Sequence, residues 1–322
     1  MCLHYNENWC TLIKVSVYNQ PPHLQTGGSR EQQKNQRSIQ AELPGPACQN
    51  IRRKDVSAMK LGFIGCGNMA KAILGGILSK QLLKPEDVIV SALHQETLDN
   101  AARTYGVHTT PDNRKAAQAE IVFLAVKPQF YQEVITQIRD SVTTDQIIVS
   151  IAPGKSIETI TGWFGKDIKL IRTMPNTPAM VGEGVTAVCP AKTVTADELQ
   201  RILTLLEACG TAEVMTEHLV DAVVSVSGSS PAYVFMMIEA MADGAVRDGL
   251  PRAQAYRLAA QAVLGSAKMV LETGKHPGEL KDMVCSPAGT TIEAVAALEA
   301  HGFRDAILAG MKACTDKTRS MG

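Results

Sequence analysis

The chain has 322 residues, enough for two domains of ordinary size, with hydrophobic content of 45% and charged content of 20%. Its 32 Lys+Arg balance 32 Asp+Glu, so no global basic field is present to recruit nucleic acid or anionic lipid. No apolar run is expected to approach the length of a membrane span.

Residues 1–58 differ from the rest. They are rich in Gln, Asn, Pro and Gly and show no sustained apolar period, so they read as disordered. No continuous apolar run leads to a small-residue cleavage site, which argues against a secretory signal. Met59 stands directly before the first predicted strand and reads as the natural start, with the preceding residues an upstream, artefactual extension.

The chain is organised around Leu61-Gly62-Phe63-Ile64-Gly65-Cys66-Gly67-Asn68-Met69-Ala70. Leu61 to Ile64 read as a short buried strand. Met69, Ala72, Ile73, Ile77 and Leu78 then recur at helical spacing, so a helix follows at once. Gly65, Gly67 and Ala70 fill the three small positions of a G-x-G-x-x-A turn between them. Such a turn permits a tight bend, close approach of backbone to a pyrophosphate and close packing of helix on strand. The first N–H groups of the helix then face the phosphates.

Further strands are predicted over residues 87–92, 121–126, 146–152 and 168–173, with helical stretches between them. Apolar strands separated by helices argue for a parallel sheet covered on both faces. Polar or proline-marked loops follow the strands at Lys127-Pro128, Pro153-Gly154 and Met174-Pro175-Asn176-Thr177-Pro178, and are candidate walls of a cofactor cleft. After the second strand comes Ser91-Ala92-Leu93-His94-Gln95, without the carboxylate that usually holds the ribose 2′-hydroxyl of NAD. Ser91 and His94 are candidate partners of a 2′-phosphate, which favours NADPH, with NADH as the alternative.

The eight cysteines include no C-x-x-C pair and lie in apolar or glycine-rich segments. They read as buried thiols of a reducing compartment, the cytoplasm, and no metal site is expected.

From residue 217 the sheet signals stop. Helices are predicted over roughly 217–226, 231–248, 252–273, 287–300 and 303–319. The second, Tyr233 to Ala242, is apolar on nearly all sides. A helical domain of this size has little interior to hide it, so a homodimer joined through this domain is expected. Two polar turns stand out. Ser227-Gly228-Ser229-Ser230-Pro231 reads as an N-cap with Pro231 at the first helical position. Cys285-Ser286-Pro287-Ala288-Gly289-Thr290-Thr291 brings hydroxyls and free N–H groups together at a helix start; it serves either as a small-carboxylate site or as a simple cap.

From Met59 onward these residues resemble the Δ1-pyrroline-5-carboxylate reductase family in its bacterial form. The most specific stretch is Pro277 to Ala294, which looks like the family's signature segment. Gly65 to Met69, Ala125-Val126-Lys127-Pro128, Met174 to Pro178 and Ser227 to Tyr233 match as well. The resemblance implies a Rossmann-type dinucleotide-binding domain over 59–216 and an all-α dimerisation and substrate domain over 217–322. It implies reduction of the cyclic imine of 1-pyrroline-5-carboxylate to L-proline by NADPH or NADH. Ile64, Gly65, Cys66, Gly67, Asn68 and Met69 would hold the pyrophosphate. Asn113, Ala125, Val126, Lys127 and Pro128 would line the adenosine and nicotinamide ends. Thr291 would hydrogen-bond the ring nitrogen as the catalytic group. Ser286, Thr290 and Thr291 would hold the substrate carboxylate, with Glu217 and Met283 nearby. Two subunits would interlock through the helical domain, and dimers would stack into a ring. Pro153, where relatives often carry Ala, and Ala92, where some carry a hydroxyl, depart from that pattern. A β-hydroxyacid dehydrogenase is the enzymatic rival, but its G-x-x-x-N-x-x-K pattern is absent between 217 and 300; a non-catalytic dinucleotide sensor is the rival of another class.

Overall fold

The structure, a computed structural model, describes residues 61–320. The expectations for residues 1–58 and for Met59 as the start lie outside them.

Eight strands form one sheet: β1 (Leu61–Ile64), β2 (Val88–Ser91), β3 (His108–Thr110), β4 (Ile121–Leu124), β5 (Ile147–Ser150), β6 (Lys169–Met174), β7 (Gly184–Pro190) and β8 (Gly210–Val214). Their order is β3-β2-β1-β4-β5-β6-β7-β8, so the chain reverses direction across the sheet between β3 and β4. The expected parallel pairing holds from β3 through β6. It then breaks: β7 runs antiparallel to β6, and β8 runs parallel to β7.

The helices among these strands are α1 (Asn68–Ser79), α2 (Gln95–Tyr105), α3 (Asn113–Ala116), α4 (Tyr131–Ile138), α5 (Ile157–Phe164) and α6 (Ala196–Leu206). They cover both faces of the sheet. On one face, Leu61 and Phe63 of β1 and Phe123 of β4 meet Ile73, Leu74 and Ile77 of α1 and Ile202 and Leu205 of α6. Phe63 and Phe123 stack there at 4.9 Å. On the other face, Ile64, Val122 and Leu124 meet Tyr131, Ile135 and Ile138 of α4 and Ile160 and Phe164 of α5. Alternate residues of one strand thus serve opposite cores, which is why the central strands are continuously apolar. Full burial of each such side chain stabilises by about 1.5–3 kcal/mol.

Three strands escape sequence reasoning. β3 has only three residues and β8 is a half-exposed edge, so neither needs a strong apolar pattern. β7 mixes Gly, Thr and Pro into an apolar run that lies beside another predicted strand.

The remaining helices are α7 (Glu217–Val223), α8 (Ser230–Arg247), α9 (Arg252–Thr273), α10 (Pro277–Val284), α11 (Thr290–Ala300) and α12 (Phe303–Arg319). α10 was not expected. Pro277 opens it, and His276 caps it by accepting from the Gly278 N–H at 3.1 Å. The expected capping turn at Ser227–Pro231 holds in part: Ser229 is the N-cap of α8 but makes no side-chain capping bond. Val224–Gly228 is a π-helical segment that joins α7 to α8 in a single 31-residue helix, Glu217–Arg247. Pro231 sits in the first turn of α8, as expected, where its missing N–H leaves the ladder open. The fusion overturns the expectation about membrane-length runs, since this helix is long and apolar enough to cross a bilayer by length and composition.

Candidate active site

The G-x-G-x-x-A turn is built as its residues demand. Gly65 has φ +94°, and an added Cβ would sit 2.7 Å from the Ala125 carbonyl oxygen, so both conformation and space require glycine. The Gly65 N–H donates to Ser91 O at 2.8 Å, and the Ala125 N–H donates to Ile64 O at 2.8 Å. These bonds extend the ladder beyond the strands and lock the turn to the loops after β2 and β4. Gly67 is the N-cap of α1 and has no side-chain cap, and the first turn carries no acidic residue. A Cβ at Gly67 would meet nothing within 4 Å. The helix start therefore offers bare N–H groups and the positive end of its dipole on an open side, which fits a pyrophosphate.

Beside this turn lies a cavity of about 280 Å³ at the carboxyl ends of β1, β2 and β4. Gly65, Asn113 and Val126, three of the expected cofactor residues, line it together. Ala125 and Val126 are half-buried, whereas Lys127 is exposed and precedes the 3₁₀ turn Pro128–Phe130. His94 is exposed at the N-cap of α2 and makes no capping bond.

Ser91 is a correction. It is wholly buried, and its hydroxyl donates to Asn113 Oδ1 at 2.8 Å, so it does not face a 2′-phosphate. The sequence hides this because the two partners stand 22 residues apart. Asn113 Nδ2 in turn donates to Gln137 Oε1 at 3.0 Å. Gln137 and Glu133 of α4 also line the cavity; sequence reasoning passed over them, although helical spacing places both on the face of α4 away from its buried residues.

Glu217 opens α7. Its Oε1 accepts from the Ile157 N–H at 2.7 Å and from Arg172 Nη1 at 3.0 Å, while Arg172 Nη2 donates to Asp221 at 3.1 Å. Arg172 lies on β6 and is buried, and its Nε has no acceptor among the described residues. Glu217 thus ties the start of α5 and strand β6 to the long helix. The nearby Cys189 thiol is pushed up, first by burial and then by the Glu217 charge.

The signature turn stands at the far end of the chain. The Gly289 N–H donates to Ser286 O at 3.0 Å, and Ala288 holds a left-handed φ of +56°. α11 starts at Thr290 with Gly289 as N-cap and no side-chain cap. The hydroxyls of Ser286, Thr290 and Thr291 make no hydrogen bond among the described residues, so simple capping does not account for them. Met283 is 63% exposed one turn earlier. α10 and α11 pack on α9 and α12, and the turn faces outward. Thr291 is half-buried, Ser286 and Thr290 exposed.

The family model described as pyrroline-5-carboxylate reductase dimerisation matches residues 217–321. A second, described as NADP oxidoreductase coenzyme F420-dependent, matches residues 60–154. A pyrroline-5-carboxylate reductase of Escherichia coli is 49% identical over 263 residues, which is 81% of this chain and 98% of that protein. The Synechocystis enzyme of the same name is 44% identical, covering 82% of this chain and 99% of its own. Among solved structures, a pyrroline-5-carboxylate reductase from Coxiella burnetii matches with a TM-score of 0.77 at 33% identity, over 83% of this chain and 99% of that one. A Plasmodium falciparum pyrroline carboxylate reductase with NADP bound matches with a TM-score of 0.76 at 28% identity, over the same shares.

Proposed function

The chain belongs to the pyrroline-5-carboxylate reductase family and reduces 1-pyrroline-5-carboxylate to L-proline with a nicotinamide dinucleotide; we propose that NADPH is the preferred donor, that Thr291 serves the ring nitrogen, and that the working unit is a cytoplasmic homodimer. The observation that carries the cofactor reading is the bare, open start of α1 beside the 280 Å³ cavity. The bound nicotinamide supplies a hydride to the imine carbon. The protein's part is to hold and orient.

On this reading Ile64 to Met69 hold the pyrophosphate, and Asn113 and Ala125–Pro128 line the two ends of the cofactor. The N–H groups at the start of α11 and the hydroxyls of Ser286 and Thr290 hold the substrate carboxylate. The Thr291 hydroxyl accepts from the protonated ring nitrogen and steadies its proton. Support for NADPH is the absence of a carboxylate between Ser91 and Gln95, with His94 exposed there. Glu96, in the first turn of α2, is the nearest carboxylate in sequence and works against it.

Support for the dimer is the matched dimerisation segment together with bare apolar surface on the long helix, where Phe235 is 63% and Met236 69% exposed. We assign that surface to a second subunit rather than to a bilayer. A dimer also lets the signature turn of one subunit serve the cofactor cleft of the other, which suits a turn that faces outward from its own chain. Stacking of dimers into a ring is a further expectation. The cytoplasmic reading is supported by Cys66, Cys189 and Cys209, which are buried free thiols.

Parallel rates with NADPH and NADH test the cofactor choice. Faster turnover with NADPH, lost in part when His94 is replaced by Ala, is the expected result. Equal rates, or faster turnover with NADH, would overturn the preference.

A further inference from the structure

Asn176 lies in the loop that leaves the carboxyl end of β6, and it is buried. Both ends of its side-chain amide are engaged. Oδ1 accepts from the Val185 N–H of β7 at 2.9 Å, which fixes the orientation of the amide. Nδ2 donates to the carbonyl of Ser227 at 3.1 Å, inside the π-helical segment of the long helix.

That carbonyl is available for a reason written in the sequence. In an α-helix Ser227 O would accept from residue 231, but residue 231 is Pro and has no N–H. The next donor along, the Ala232 N–H, bonds Ser229 O at 3.0 Å instead. The helix widens at this point, with the Ser229 N–H reaching back to Val224 O at 2.8 Å. Proline thus frees one half-buried carbonyl, and a side chain from the other domain satisfies it.

The same loop is held on its other sides. The turn Thr177–Val181 packs on α1, the helix of the glycine fingerprint, and Ala179 is buried in that core. An added Cβ at Gly228 would meet Met174 Cε at 2.8 Å, so the end of β6, where the loop begins, lies close against the helix defect. One short segment therefore bridges the fingerprint helix and the long helix.

We infer that Asn176 is a positioning residue for hydride transfer: through Ser227 O it fixes the loop after β6, and with it the angle at which the helical domain meets the cofactor cleft. The inference rests on the reductase reading, in which that loop is a candidate wall of the cofactor cleft. Misplacement of reacting groups by about 1 Å costs on the order of 100-fold in rate, so a lost latch acts on turnover rather than on binding.

Asn176→Asp tests it, because a carboxylate keeps the acceptor for Val185 and loses the donor to Ser227. Pro231→Ala is the second variant; it returns an N–H to the helix, which competes with Asn176 for Ser227 O. Measurements on full-length protein are kcat, KM for both substrates, NADPH affinity by fluorescence titration, melting temperature, and the primary isotope effect with NADPH deuterated at the transferred position. We expect kcat to fall roughly 10- to 100-fold in Asn176→Asp and by a smaller factor in Pro231→Ala. NADPH affinity should stay within about twofold, and the isotope effect on kcat should grow as hydride transfer becomes slower than product release. Folded variants with unchanged kcat and isotope effect would overturn the inference, as would a fall in kcat matched by an equal loss of NADPH affinity. Should Asn176→Asp fail to fold, Pro231→Ala decides by the same readouts. If the parent enzyme itself shows no turnover, the reductase reading fails instead.

Discussion

Strand β1 and helix α8 are both strongly apolar, yet the molecule treats them in opposite ways. Every residue of β1 is buried between helices of its own chain. α8 buries only Pro231 and Ala242 and leaves Phe235 and Met236 largely exposed. The dinucleotide-binding half is thus complete within one chain, and its core stabilises it without help. The helical half presents apolar faces that only a second surface would remove from water. Stability of the first half should be a property of the monomer, and that of the second a property of the assembly.

The largest effect expected from this contrast is in the first half. Phe63→Ala should cost about 3–5 kcal/mol, because Phe63 is wholly buried and stacks on Phe123. Chemical denaturation should report that loss equally at low and high protein concentration; a concentration-dependent loss would blur the distinction between the halves. In the second half, Thr291→Ala should lower turnover roughly 10- to 1,000-fold with little change in melting, since the hydroxyl makes no hydrogen bond among the described residues. Rescue by Thr291→Ser would tie the effect to the hydroxyl. Met236→Glu places a charge on the exposed apolar face and should weaken self-association by on the order of 100-fold, read by analytical ultracentrifugation across a dilution series. Unchanged association would remove α8 from the interface.

One pH effect lies in the first half. Burial pushes the Cys209 thiol from 9.0 up to about 11. A raised folded-state value favours the neutral thiol in the native state. Its contribution is therefore complete below about pH 9 and is lost as pH climbs from 9.0 to about 11. Thermal melts through that window should fall less steeply in Cys209→Ala than in the parent. The smallest effect is Thr195→Ala. It removes a capping box at α6, formed with Glu198, and should cost about 1 kcal/mol by melting while leaving turnover untouched.

The parts legible in the sequence are those whose causes are local. Gly65 announces a turn that other residues would not fit, and Leu61 to Ile64 announce a strand buried on both faces. The signature turn was legible because three hydroxyls crowd one helix start. The parts that escaped depend on distant partners. Ser91 looks like a phosphate ligand until Asn113, brought beside it by strand pairing, takes its hydroxyl. Pro231 reads as a helix start, but nothing local shows that Asn176, 51 residues from Ser227, satisfies the carbonyl it orphans. The bonds of Glu217 to Arg172 and to the start of α5 likewise join residues far apart in the chain. β7 turns antiparallel for reasons no local pattern carries.

The central claim is chemical: this chain moves a hydride from a nicotinamide dinucleotide to a cyclic imine. The direct measurement mixes full-length protein with NADPH and pyrroline-5-carboxylate, follows the absorbance of the reduced nicotinamide, and quantifies proline by mass spectrometry. The account predicts enzyme-dependent oxidation with proline formed mole for mole. Folded protein that binds NADPH but forms no proline would contradict it.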